Sequence, residues 1–271
     1  MQGWKTFIPT EKKIQYLNSL LQVGFDTIDF GSFVSPKAIP QMQDTHEVLK
    51  KLDLAGTTSK LLAIIANVRG AEAALQYNAI QYLGFPLSLS ETFQQRNTNA
   101  SLKDALLRVR EIQKLCTAGG KILVVYLSMA FGNPYGDQYN SETVYKYGAE
   151  LAAEGICIIS LADTIGVATP QQVSELTAYI IKELPQTEIG VHLHSTAHNW
   201  KEKVAAAFMA GCLRFDGALK GIGGCPMADD ALVGNMNTEW LLDYFTEQHM
   251  APPINAKALE KSIALADQIF V

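Results

Sequence analysis

Cysteine is scarce in this chain: Cys116, Cys157, Cys212 and Cys225 are scattered over 271 residues with no CxxC spacing. That pattern gives neither a disulfide framework nor a paired-thiol metal or redox site. Cys157, inside the apolar run Ile156–Leu161, reads as a small core residue. Long apolar runs are missing as well. No stretch reaches the roughly 18 residues that a membrane span needs, and no secretory or transit-peptide bias marks the sequence. No membrane association is expected, and the expected compartment is a reducing cytoplasm. Basic excess is the third absence: 22 Lys and Arg against 27 Asp and Glu leave a net charge of −5, which supplies no footprint for nucleic acid. Phosphorylated or thioester ligands remain open, because a few local basic residues serve them whatever the net charge.

What the chain has is the material for a core, with 48% of its residues hydrophobic. Residues 1–271 read as one domain, since α/β barrels commonly run about 250 residues. A first helix is predicted from Thr10, its N-cap, through Ile14, Leu17, Leu20 and Leu21, with Gly24 as the stop. Strands are predicted at Thr27–Phe30, Leu61–Ala66, Gln81–Ser88, Ile122–Ser128, Ile156–Leu161, Ile189–His194 and Arg214–Ala218. Between them lie helices such as Pro170–Leu184, with Thr169 as N-cap and Pro170 at the first position, and Lys201–Ala210, ended by Gly211. Most of these strands are continuously apolar, as buried parallel strands are. The repeated strand-then-helix units predict an α/β fold, a (β/α)8 TIM barrel. The count is one strand short. Either a strand lies in Trp4–Ile8 or the first barrel strand is missing from the chain, and Gly3–Phe7 reads more like a βα loop.

Barrels of this kind carry their chemistry at the carboxyl ends of the strands. Those ends offer Asp29 and Ser32, Asn67 and Arg69, Ser90 and Glu91, Ser128, Asp163 and Thr164, His192 and His194, and Lys220. After Lys220 comes the loop Gly221-Ile222-Gly223-Gly224-Cys225-Pro226, followed by Asn235. Two histidines at i and i+2 on a strand share a face, and such an imidazole pair suits a divalent cation. The glycines around Cys225 suggest a mobile loop that exposes the thiol. Structural readings stand beside these. Asp163-Thr164 also suits a helix cap, Asn67 and Arg69 also suit an ordinary loop, and His46 and His198 read as solvated helix-end groups.

Several of these segments together resemble the 3-hydroxy-3-methylglutaryl-CoA lyase family, within the metal-dependent TIM-barrel lyases that also include isopropylmalate and homocitrate synthases. They are Ser32-Phe33-Val34-Ser35-Pro36-Lys37 with Pro40-Gln41-Met42, Ala162-Asp163-Thr164-Ile165-Gly166, His192-Leu193-His194, Gly221 through Pro226, and Gly234-Asn235. The likeness is collinear over the chain, and the Gly-Gly-Cys-Pro loop is its most discriminating element. The resemblance implies a Mg2+ or Mn2+ site with His192, His194 and Asn235 as ligands and Cys225 as the catalytic thiol. Asp29 stands where the family has a supporting glutamate, and Asp163 matches a family aspartate near the substrate. An acyl-CoA thioester is the implied substrate and a homodimer the implied assembly. Asn67, Arg69, Ser128, Thr164, Gly223 and Gly224 are the candidate substrate contacts.

The implied reaction cleaves a C2–C3 bond in a 3-hydroxyacyl thioester, here to acetyl-CoA and acetoacetate. The 3-hydroxyl must lose a proton, with His192 as the candidate base, and the departing enolate must be protonated, with Cys225 as the candidate acid. There are departures. Ser195 and Met227 stand where the family usually has Asp and Tyr. Gln2 aligns with a family Gln that closely follows an Arg-Asp pair at the end of the first strand. The resulting expectation is that this strand and its pair are absent from the chain, that metal is held weakly by three protein ligands, and that activity is low until the pair is restored. A related lyase for another 3-hydroxyacyl-CoA or a 4-hydroxy-2-oxo acid, or a non-catalytic relative, stays open at this point.

Overall fold

A computed structural model describes residues 1–223 and 233–270. The chain opens in a loop and enters α1 (Thr10–Leu21), β1 (Thr27–Ser32), α2 (Thr45–Lys50), β2 (Lys60–Ile64), α3 (Val68–Leu75), β3 (Ile80–Ser88), α4 (Glu91–Thr98) and α5 (Leu102–Ala118). There follow β4 (Ile122–Ser128), α6 (Ser141–Ala153), β5 (Ile158–Ala162), α7 (Pro170–Glu183), β6 (Glu188–His192), α8 (Trp200–Met209), β7 (Arg214–Phe215), α9 (Thr238–Glu247) and α10 (Ala256–Ile269). The seven strands of the described residues pair in parallel in the order of the sequence.

The alternation of side chains along the strands sorts them into two cores. Leu83, Phe85, Leu123, Val125, Ile159 and Val191 pack outward with helix residues such as Ile112, Val173, Leu176 and Val204. Leu62, Tyr82, Val124 and Ile158, with Ile64 and Tyr126, cluster on the other face, inside the curve of the sheet. No ladder among the described residues joins β1 to β7, yet both border one cavity of about 840 Å³. The architecture is therefore an open seven-stranded parallel barrel.

Four local expectations need correction. Pro9, not Thr10, occupies the cap position of α1, and the Thr10 hydroxyl instead donates to Asp44 at 2.8 Å. Cys157 is exposed, because the strand begins one residue later at Ile158 and the preceding turn faces outward. The strand β6 ends at His192, so His194 lies beyond the parallel ladder in an antiparallel bridge to Asn235. Finally, β7 is only two residues long, since Ala218 leaves it to pair with Asn237. The start of α7 is as expected: Thr169 and Gln172 form a reciprocal capping box with Pro170 in the first turn.

Candidate active site

The cavity opens at the carboxyl ends of the strands, where Asp29, Ser128, Thr164, His192, His194, Gly223 and Asn235 line it. A local backbone device brings the last of these to the histidines. The returning segment donates from Met236 N to the Leu193 carbonyl at 3.1 Å and accepts from Ser195 N at the Gly234 carbonyl at 3.1 Å. This short antiparallel pairing pulls His194 out of the parallel ladder and sets Asn235 beside it. The ring centres of His192 and His194 lie 5.5 Å apart. Gly223 is required there: its φ is +101°, and a Cβ would come within 2.9 Å of Asn235 Nδ2.

Each of these three side chains has one polar atom anchored and one left over. His192 Nδ1 is 3.1 Å from Asp216 Oδ2, so the proton on that nitrogen faces a carboxylate. His194 Nδ1 is 3.1 Å from the Val233 carbonyl, which can only accept, so this nitrogen must be the protonated one. Asn235 Nδ2 donates to the Ile222 carbonyl at 3.1 Å, and its Oδ1 has no partner among the described residues. The two Nε2 atoms and one amide oxygen remain as unspent donors of electron pairs. A histidine whose other nitrogen is held by a carboxylate or carbonyl is the usual arrangement of a metal ligand.

Charge follows the same division. Burial pushes His194 down to about 4, with His192 and Lys203 adding to the effect, so its ring is neutral at physiological pH. Burial also acts to lower His192, but the hydrogen bond and charge of Asp216 outweigh it and the net displacement is upward. Asp29 is exposed to the cavity, and desolvation by the surrounding walls pushes its carboxyl up to about 7, with Asp216 adding to this. Burial likewise raises the Tyr126 phenol well above its ordinary range. Its ring meets His192 edge-on at 5.9 Å.

Among the described residues, no three His, Cys, Asp or Glu side chains gather into a metal-binding group. The set on offer is two imidazoles and an amide oxygen, a mixed donor set that fits a divalent cation with open positions for substrate oxygens.

Three of the expected residues lie elsewhere. The Asn67 side chain accepts from Gly70 N at 2.9 Å and caps α3, so the structural reading of this residue prevails. Arg69 is exposed on the same helix, and neither residue borders the cavity. Asp163 is buried, with Oδ2 accepting from Lys203 Nζ at 2.7 Å and Oδ1 from Ala168 N at 3.1 Å, and it does not border the cavity either. Gly224 and Cys225 lie outside the described residues. Sequence reasoning missed Asp216 because it lay inside the strand expected at Arg214–Ala218, whereas the observed strand ends just before it. It also missed Lys203, whose signal was a lysine on the apolar stripe of α8 with Val204 and Ala207.

The HMGL-like family model matches residues 1–265. The chain belongs to the HMGL-like family. It is 34% identical over 99% of its length to a hydroxymethylglutaryl-CoA lyase of Bacillus subtilis (strain 168), of which it covers 88%. To the mitochondrial hydroxymethylglutaryl-CoA lyase of Bos taurus it is 34% identical over 89% of its length, covering 74% of that protein. Among solved structures, an HMG-CoA lyase from Acinetobacter baumannii in complex with coenzyme A and 3-methylmalate matches with a TM-score of 0.91 at 31% identity. That match covers 99% of this chain and 87% of the other. Membership of the HMGL-like family makes this chain a lyase of the same metal-dependent barrel type.

Proposed function

We propose that this protein cleaves 3-hydroxy-3-methylglutaryl-CoA to acetyl-CoA and acetoacetate at a divalent-metal site held by His192, His194 and Asn235. The carrying observation is that each of the three has one polar atom anchored and, among the described residues, one donor atom apiece without a partner. The family relatives named as HMG-CoA lyases, one solved with coenzyme A, support an acyl-CoA substrate. Mg2+ or Mn2+ bound there would lower the pKa of the substrate's 3-hydroxyl and fix its orientation.

The residues divide the proton work. His192 has only Nε2 unspent, which suits it to hold the metal rather than to act as base. Asp29 faces the cavity with its carboxyl raised to about 7, close to the value a base needs at neutral pH. It takes the proton from the 3-hydroxyl, the C2–C3 bond breaks, and its electron pair passes into the thioester enolate while C3 becomes a ketone. Ser128 and Thr164 line the same mouth and offer hydroxyl contacts to the acyl group. Cys225, placed by the resemblance, returns a proton to the enolate carbon.

The gap between β1 and β7 belongs to the same reading. Asp26 to Asp29 form one wall of the cavity and Leu213 to Asp216 the other, with Leu17 and Leu20 of α1 and Leu241 and Phe245 of α9 behind. Two unpaired strand edges in front of an apolar wall fit one further parallel strand, the eighth of a closed barrel. A homodimer and a cytoplasmic location complete the proposal. Exposed Met209 would give such a dimer an apolar contact, and relatives are named both cytoplasmic and mitochondrial. Analytical ultracentrifugation checks the first, and fractionation checks the second.

The test of the site is Mn2+ binding by the protein and its His194→Ala variant. The expected result is a saturable single site that H194A weakens by at least tenfold. Equal binding by both would overturn the assignment.

A further inference from the structure

The buried ammonium of Lys203 lies directly behind the site and has no part in the reaction described above. It is completely shielded from solvent, and its three N–H bonds meet three acceptors from two separate segments. Nζ donates to Asp163 Oδ2 at 2.7 Å, to the His194 carbonyl at 2.9 Å and to the Gly166 carbonyl at 3.2 Å. This uses its whole donor capacity. Asp163 follows β5 directly and is joined to the end of β6 a second time, its backbone N–H donating to the His192 carbonyl at 3.0 Å. One charge therefore ties the turn after β5 to the residue that presents the second imidazole.

A buried ion pair is a costly way to gain stability, because well-packed apolar side chains in its place are often as stable or more so. What the pair does supply is geometry. His194 has left the parallel ladder, so the register of β5 and β6 no longer fixes its backbone. The restraints on it are the bridge to Asn235 on one side and the Lys203 hydrogen bond to its carbonyl on the other.

We propose that Lys203, paired with Asp163, is a positioning residue that fixes the backbone of His194 and so aims its free Nε2 into the site. The clamp rests on the proposed metal reading for its purpose, but not for its detection.

The test uses the Lys203→Met/Asp163→Leu double variant, which removes both charges and leaves neither unpaired. A Lys203→Gln/Asp163→Asn variant carries the same expectation if the first does not fold, since a glutamine is too short to reach all three acceptors. The direct readout is the His194 Nδ1–H signal in the metal-free protein by 15N NMR of the imidazoles. In the parent it is expected to be sharp and slowly exchanging, because Nδ1–H is held by the Val233 carbonyl. In the folded variant it is expected to shift and exchange faster, while Mn2+ binds about 10- to 100-fold more weakly. An unchanged His194 signal in a folded variant overturns the clamp. Failure of the parent to bind Mn2+ overturns the metal reading instead, and the imidazole signal still decides the clamp.

Discussion

His192 and His194 stand two residues apart, yet their proton affinities are displaced in opposite directions. The carboxylate of Asp216 raises His192 toward the imidazolium, whereas burial, with the nearby His192 and Lys203, holds His194 neutral against the smaller upward effect of the Val233 carbonyl. Asp216→Asn keeps a hydrogen-bonding group at Nδ1 but removes the charge. Its expected effect is a 10- to 100-fold loss of Mn2+ affinity, measured by titration, with the fold unchanged by circular dichroism; an affinity within twofold of the parent contradicts it. Asp29 gives a pH-dependent prediction. Its carboxyl is raised to about 7 in the folded protein, against about 3.9 in an unfolded chain. Between these values the unfolded chain has released the proton and the folded protein still holds it. Ionisation therefore favours unfolding, and this contribution to stability falls as pH rises through that window and then stays constant. Asp29→Asn removes the effect. In the metal-free protein, the Tm of the variant minus that of the parent should be more positive near pH 8 than near pH 4, and an equal difference at both pH values refutes it.

At the scale of elements, the apolar runs were sufficient to place β3 and β4 nearly to the residue, because strands buried on both faces are continuously hydrophobic. The ends of β6 and β7 were not legible. They depend on the return of residues 234–237, which bridges antiparallel to His194 about forty residues back and parallel to Ala218 about twenty residues back, rather than on local propensity. Sequence distance also hid the Lys203–Asp163 pair, whereas Asn67 is a local helix cap that a strand-end amide suits as well as a ligand role. The imidazoles and Asn235 were legible from their resemblance to a family motif; their tautomers were not, since these follow from the partners of Nδ1. The loop–return contact carries its own prediction. Gly223→Ala forces a side chain onto a backbone at φ +101° and against Asn235 Nδ2. The variant should lose at least tenfold in Mn2+ affinity with a Tm close to the parent, since the change lies at the rim of the fold. Unchanged affinity would show that Asn235 is not held by this contact.

At the scale of the whole molecule, seven parallel strands surround a cavity that β1 and β7 border from opposite ends of the sheet. The pairing is uneven: β3 and β4 share a seven-residue register, whereas β6 and β7 share two pairs. Hydrogen exchange should therefore be slowest in β3 and β4 and fastest in β7, because local opening follows the number of ladder bonds and the packing behind them. Protection of β7 equal to that of β4 would mean that its outer edge is covered in solution. The account's central claim concerns chemistry at the mouth of this barrel. The measurement that tests it most directly is product formation from 3-hydroxy-3-methylglutaryl-CoA by the protein with Mg2+ or Mn2+. Acetyl-CoA and acetoacetate should appear in equal amounts, stop on chelation and return with added metal, and be lost in the His194→Ala variant. Cleavage that persists after chelation, or in H194A, would contradict it.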